Sequence, residues 1–236
     1  MDLTNDTLVL VPTYNESKNV EDFLNLFIGT KYDVLIIDDN SPDSTGEIVK
    51  KFSKTNSNIH LLERPEKLGL GSAYRDGFKW ALKKDYISFV EMDADFSHSF
   101  SDLQQLVTYK DKFDLVIGSR YITGGMTKGW SRARKSLSVT ANIVARTLLG
   151  LEVKDMTSGF RIYSRNCLED INFYETKSNG YAFQIEMTFL TSKSNKSIKE
   201  VPITFYERSL GDSKMSKVIV YEAIKYLILS AFSRRR

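Results

Sequence analysis

Short apolar runs alternate with amphipathic stretches through the first half of this chain, and few architectures accept that pattern. Thr7-Leu8-Val9-Leu10-Val11-Pro12 is an apolar run closed by proline, followed by Val20, Phe23, Leu24 and Phe27 at the i, i+3, i+4, i+7 spacing of one helix face. Val34-Leu35-Ile36-Ile37 precedes a helix over 47–53, and Ile59-His60-Leu61-Leu62 precedes one over 72–84. Tyr86-Ile87-Ser88-Phe89-Val90 precedes a helix over 101–110, and Leu115-Val116-Ile117-Gly118 closes the series. Near-continuous apolar runs mark strands covered on both faces, and strand–helix–strand repeats join parallel strands by right-handed crossovers. The expectation is an α/β fold: a mostly parallel sheet with helices on both faces. At 236 residues the chain is long enough to bury such a core within one large domain.

In open sheets of this kind, ligands sit beyond the carboxyl ends of the strands. The run ending at Val90 continues as Glu91-Met92-Asp93-Ala94-Asp95-Phe96-Ser97-His98, which puts Asp93 and Asp95, one residue apart, at the rim of a cleft. Oxygen ligands of this type suit Mg²⁺ or Mn²⁺, with substrate phosphates and water completing the shell. Alternatively the two acids merely end the strand and cap the helix beginning near Ser101. Pro12-Thr13-Tyr14-Asn15-Glu16 occupies the loop where G-x-G-x-x-G would stand in a dinucleotide-binding chain, which counts against NAD. After the second strand comes Asp38-Asp39-Asn40-Ser41-Pro42-Asp43-Ser44-Thr45, rich in turn and N-cap residues. Leu68-Gly69-Leu70-Gly71 precedes a helix and either lets backbone approach a phosphate or makes only a turn.

Beyond Asp114 the character changes. From Leu115 to Leu151 the chain carries Arg120, Lys128, Arg132, Arg134, Lys135 and Arg146 and no acid. Broken by Gly124, Gly125, Gly129 and Trp130, this stretch reads as a mobile basic loop that receives an anion, or as a solvated face. A helix over 136–149 ends at Gly150, Asp155 to Tyr163 reads as a turn into a strand, and Tyr181 to Met187 as a helix start. Glu186 is either an exposed acid or a buried one with a partner. Ile198 to Phe205 reads as one strand, followed by Tyr206-Glu207-Arg208-Ser209-Leu210-Gly211-Asp212-Ser213-Lys214. The last stretch, Val218 to Phe232, is apolar on most of its circumference and ends in Arg234-Arg235-Arg236. It is too short to span a bilayer and suits either the membrane interface or ordinary core packing.

With 33 Lys and Arg against 30 Asp and Glu, a net charge of +3 argues against nucleic acid as a partner. The single Cys167 excludes an internal disulfide, and His60 and His98 make no zinc pattern. The acidic N-terminus lacks the apolar core of a cleaved signal, and no run reaches the length that spans a bilayer.

Seven segments together carry a family resemblance: Val11-Pro12-Thr13-Tyr14-Asn15-Glu16, Ile37-Asp38-Asp39-Asn40-Ser41-Pro42-Asp43, Leu68-Gly69-Leu70-Gly71, Met92-Asp93-Ala94-Asp95, Gly118-Ser119-Arg120-Tyr121, Ser158-Gly159-Phe160-Arg161, and Glu207 to Lys214. In these the chain resembles the family-2 inverting glycosyltransferases, and within them the group that makes dolichyl phosphate mannose. The resemblance implies a Rossmann-like, GT-A type catalytic domain over 1–214 and an amphipathic membrane-interface or partner-binding helix over 215–236. It implies that Pro12, Tyr14, Glu16, Ile37 and Asp39 hold the guanosine of GDP-mannose and that Ala94 lines the donor pocket. Asp93 and Asp95 would hold Mg²⁺ or Mn²⁺, with Ser97 standing where some relatives have glutamine. Arg120, Arg208 and Lys214 would contact the donor's phosphates and sugar, and Arg134 with Ser138 the phosphate of dolichyl or polyprenyl phosphate. Asp95, Arg120 and Arg134 would carry the catalysis.

The product would be the lipid-linked mannose donor used in glycosylation and GPI-anchor synthesis. It would be made at the cytosolic face of the endoplasmic reticulum membrane, or the cytoplasmic membrane face in a prokaryote, with small membrane-anchoring subunits as partners. Two other readings stand beside this one: a polyprenyl-phosphate glucosyltransferase or other sugar transferase of the same fold, and a catalytically silent nucleotide-sugar-binding subunit.

Overall fold

The computed structural model describes residues 5–207. Arg208, Lys214 and the helix expected over 215–236 lie outside the described residues. The strands are β1 (Thr7–Thr13), β2 (Tyr32–Asp38), β3 (Ile59–Glu63), β4 (Ser88–Glu91), β5 (Leu115–Ser119), β6 (Met126–Lys128), β7 (Arg161–Ser164), β8 (Ile198–Pro202) and β9 (Thr204–Tyr206). The helices are α1 (Val20–Asn25), α2 (Thr45–Thr55), α3 (Leu70–Ala81), α4 (Phe100–Val107), α5 (Arg132–Leu149), α6 (Arg165–Asp170) and α7 (Gly180–Lys193). Seven strands form one sheet in the order β3-β2-β1-β4-β7-β5-β8, and β6 with β9 makes a small separate sheet.

Alternation along the strands divides the apolar side chains between two cores, as side chains on a pleated strand must. Val9, Val11, Ile36 and Val90 point to the face covered by α1, α2 and α4, through Phe23, Leu24, Val49, Leu103 and Leu106. Leu8, Leu10, Leu35, Ile37 and Phe89 point to the face covered by α3, α5, α6 and α7, through Tyr74, Phe78, Ala145, Leu149, Leu168, Phe183 and Met187. Helix α3 lies close on the sheet: a Cβ on Gly77 would stand 2.5 Å from Ile37 Cδ1 and 2.7 Å from Leu10 Cδ2.

The parallel register sets what meets at the carboxyl edge. Thr13 pairs with Asp38 at the ends of β1 and β2, and Leu10 pairs with Glu91 at the end of β4. The loops carrying Tyr14 to Glu16, Asp39, and Asp93 to Asp95 therefore leave the sheet side by side. Strand β7 runs against this grain, antiparallel to both β4 and β5, with Arg161 beside Glu91.

Three expectations change. The basic stretch expected as a mobile loop is mostly ordered: β6 and the eighteen-residue α5 are built from it. Helix α5 begins at Arg132, a turn earlier than periodicity gives, because the Ser131 side chain caps it by accepting from the Arg134 amide at 3.2 Å. Its end falls at Gly150, whose φ of 61° is the left-handed C-cap that glycine tolerates. The single strand expected from Ile198 to Phe205 is two, because Pro202 has no N–H to continue the ladder; β8 stays in the main sheet and β9 pairs with β6.

Candidate active site

The carboxyl edge opens into a cleft of about 470 Å³, a size suited to a nucleotide-sugar. Pro12, Tyr14, Glu16, Asp39, Asp93, Ala94, Asp95, Arg120 and Arg134 all line it. Ile37 does not: its side chain is fully buried beneath Gly77 in the core under α3, away from the cleft. Ser97 and Ser138 also lie outside the lining.

One half of the cleft is polar and held by side chains from the loops that follow β1, β2 and β3 and from α3. The Arg64 guanidinium, 5% exposed, donates to Asp39 Oδ1 at 2.5 Å and to Asp76 and Ser72. Burial raises the Asp39 carboxyl above its ordinary range although Arg64 pulls the other way. Glu16 Oε2 accepts from Asn19 Nδ2 at 2.8 Å, and Lys67 Nζ sits 4.0 Å from the centre of the Tyr14 ring. Asn15 and Asn40 take φ of 59° and 54°, so both loops turn sharply back toward the cleft. Gly71, in the first turn of α3, allows a backbone crossing: a Cβ there would lie 2.4 Å from the carbonyl oxygen of Ser178.

The rim carries Asp93, its side chain 34% exposed, and Asp95, which is 5% exposed and accepts from the Ser97 amide at 3.0 Å. Phe96, directly after Asp95, has φ of 59°, a strained conformation for a bulky residue. The alternative role, capping α4, belongs instead to Ser99, which accepts from the Asp102 amide. His98 stacks on Phe160 with ring centres 4.6 Å apart, and burial pushes its pKa down to about 4, so its imidazole is neutral. Its Nε2 lies 3.9 Å from Asp93 Oδ2, too far for a hydrogen bond. The donor set offered by Asp93 and Asp95 is all oxygen, which fits a hard divalent cation. Ser97 Oγ is a further oxygen at this turn, buried and without a hydrogen-bond partner among the described residues.

The other half is cationic and aromatic. Arg120 is not a bare cation: Asp155 accepts from its amide, Nε and Nη2 at 2.9, 2.7 and 2.6 Å, and Thr157 from Nη2 at 2.8 Å. Burial opposes the charge on Asp155, but this guanidinium outweighs it and holds the carboxyl below its ordinary range. Arg134 is half-buried at the start of α5, packed 4.3 Å from the Trp130 ring centre and paired with Glu207 at 2.7 Å. Ser138, one turn further along α5, accepts from the Tyr121 hydroxyl at 2.7 Å.

Sequence reasoning missed the partners that set these side chains. Arg64 for Asp39 and Asp155 for Arg120 come from distant positions, and periodicity carries no signal of a buried ion pair. Trp130 was visible only as an interruption in a basic run, yet its ring lies between Arg120 and Arg134.

A mostly parallel sheet with one reversed strand, opening at its carboxyl edge on a carboxylate rim between a polar and a cationic wall, defines a GT-A type glycosyltransferase. Residues 8–171 match glycosyl transferase family 2, and the chain belongs to that family. It is 43% identical over 229 residues to the polyprenol monophosphomannose synthase of Mycolicibacterium smegmatis, covering 94% of this chain and 85% of that one. It is 43% identical over 223 residues to the undecaprenyl-phosphate mannosyltransferase of Micrococcus luteus, covering 92% and 90%. Among solved structures, glucosyl-3-phosphoglycerate synthase of Mycobacterium tuberculosis with Mn²⁺ and UDP superposes with a TM-score of 0.67 at 19% identity, covering 97% of this chain and 80% of that one. A mannosyltransferase from Pyrobaculum calidifontis with GDP-mannose and Mn²⁺ gives 0.56 at 16%, covering 97% and 73%. At these identities the two structures speak to the fold alone.

Proposed function

We propose that this glycosyltransferase moves mannose from GDP-mannose to a polyprenyl phosphate with inversion at the anomeric carbon. The observation that carries the reading is one continuous cleft that brings together Asp93 and Asp95, the polar side chains Tyr14, Glu16 and Asp39, and Arg134. The names of the relatives at 43% identity supply the sugar and the lipid class. Pro12, Tyr14, Glu16 and Asp39 would hold the nucleotide, and Ala94 the donor beside the rim. Asp93 and Asp95 would hold Mg²⁺ or Mn²⁺, which, when bound, neutralises charge gathering on the departing diphosphate.

The remaining work falls to this chain's own side chains. A phosphate monoester has a second pKa near ~6, so the acceptor arrives as a dianion and needs no strong base. Its difficulty is repulsion: two unit anions ~4 Å apart repel by about 4 kcal/mol at an effective dielectric of ~20. Arg134, held against Trp130 at the open side of the cleft, is placed to receive the acceptor phosphate. That phosphate would displace Glu207 from the guanidinium. Arg120, fixed by Asp155, adds a buried guanidinium to the same wall.

The acceptor's chain requires a lipid surface. No helix among the described residues is long and apolar enough to cross a membrane. Helix α5 leaves Leu137, Ile143, Val144 and Leu148 exposed, with Arg132 and Lys135 at the end nearest the cleft, a combination that suits an anionic bilayer. The relatives named above are bacterial, which favours the cytoplasmic membrane face over the endoplasmic reticulum.

The test is transfer of label from GDP-mannose to a short polyprenyl phosphate with Mn²⁺, run beside UDP-glucose. Mannosyl phosphoryl lipid is the expected product; a preference for UDP-glucose would refute the donor. Thermal shifts with GDP and UDP report the base independently, since a ligand at ~100 times its dissociation constant stabilises by about 2.7 kcal/mol.

A further inference from the structure

Gln184 lies on α7 at the floor of the cleft, lines it, and is 1% exposed. Its Nε2 donates to Glu91 Oε2 at 2.7 Å, at the last residue of β4 and two residues before Asp93. With the amide nitrogen turned to Glu91, Oε1 is left buried with no hydrogen-bond partner among the described residues. The turn that carries it is clamped: Arg161, fully buried, donates from Nη1 to the Gln184 carbonyl oxygen at 3.0 Å and to Thr188 Oγ1 at 2.7 Å. A buried acceptor kept unpaired on a rigid mount is uncommon and calls for a partner. Tyr74 OH and Glu91 Oε1 are also buried without partners among the described residues, but neither residue lines the cleft; of those that do, Trp130 Nε1 and His98 Nδ1 are likewise unpaired, the first a donor only and the second in a ring packed against Phe160 and Phe205, so Gln184 Oε1 is the amide acceptor of the set.

The chemistry of that atom narrows its ligand. An uncharged amide oxygen receives an N–H or O–H and offers nothing to an ionised phosphate. Beside the strand that leads to Asp93, the group of the donor next to the diphosphate is the hexose, whose hydroxyls are donors. We propose that Gln184 Oε1 accepts a hydrogen bond from one hydroxyl of the transferred hexose and so contributes to the choice of sugar. This inference rests on the donor reading given above and adds the residue that reads the sugar. A site built to bond a hydroxyl rejects the analogue that lacks it, because its own buried acceptor is then left unmade.

The test is calorimetric titration of GDP, GDP-mannose and the monodeoxy GDP-mannoses, with Mn²⁺, into wild type, Gln184→Met and Gln184→Asn. GDP affinity should be the same in all three, which also certifies that the variants fold. GDP-mannose should bind about three- to tenfold more weakly to both variants, the worth of one neutral hydrogen bond. One deoxy donor should lose the same factor in wild type and lose nothing further in the variants. Equal weakening of GDP and GDP-mannose, or additive losses for every deoxy donor, would overturn the proposal. A wild type that takes UDP-glucose and not GDP-mannose fails the donor reading before any variant is compared. The same cycle with deoxyglucose donors then decides Gln184 by the same two results.

Discussion

Asp155→Asn isolates what the buried pair with Arg120 contributes. Asp155 is fully buried and Arg120 6% exposed, so the substitution leaves a guanidinium in the interior with no counter-charge and faces two of its N–H groups with an amide that also carries N–H. Breaking one side of a buried, hydrogen-bonded pair costs about 3–5 kcal/mol. In a chain of this size each kcal/mol moves the melting midpoint by about 2–4 °C, so the expected fall is about 6–20 °C. The assay is a melt of both proteins across pH. Asp155 has its folded-state pKa depressed, so its stabilisation is complete above the unfolded value of about 4 and is lost as pH falls through the lower folded value. The gap between wild type and variant should therefore be widest near neutrality and close in acid. Adding Arg120→Met to Asp155→Asn removes the stranded charge and should recover more than half of the loss, although not the activity. A neutral-pH midpoint for Asp155→Asn within about 2 °C of wild type would refute the reasoning, since that is the smallest shift a single kcal/mol produces.

Asp95→Ala should abolish mannosyl transfer in a protein that still folds, the substitution removing the rim carboxylate that accepts from the Ser97 amide; full activity would remove the metal assignment. Arg134→Ala should raise the apparent KM for polyprenyl phosphate and leave stability within about 1 kcal/mol, as its pair with Glu207 is half-exposed; an unchanged KM would return this arginine to a purely surface role. Gly71→Ala drives a methyl into the Ser178 carbonyl oxygen and the Phe183 ring, and should cost about 1–3 kcal/mol in urea titrations and weaken GDP binding. Cys167 is fully buried and burial pushes its thiol up to about 12, so an absorbance assay with a thiol reagent should show it inert until the chain is unfolded; rapid labelling of the native protein would contradict its packing.

The parts of the fold that were legible in the sequence are those where period and burial agree. Leu8 and Leu10 against Val9 and Val11 declare a strand covered on both faces, and each strand–helix pair through β5 follows from the same logic. The rim was legible because Asp93 and Asp95 directly follow such a strand. What was not legible depends on contacts between distant positions. Nothing local says that β7 runs antiparallel, that Arg120 is spoken for by Asp155, or that Ile37 turns away from the cleft. Helix α5 was misjudged at its start because a basic run with three glycines ahead of it resembles a loop, and the decisive signal, Ser131 as a cap, is a single residue.

The reversed strand has a consequence for how such enzymes diversify. Because β5 ends and β7 begins at the same edge of the sheet, everything from Arg120 to Phe160 is an excursion that departs from and returns to one rim. That loop of chain, with its basic helix and its tryptophan, can lengthen, shorten or change character without moving β1, β2 and β4. Evolution is then free to refit one wall of the cleft while the opposite wall stays as it was.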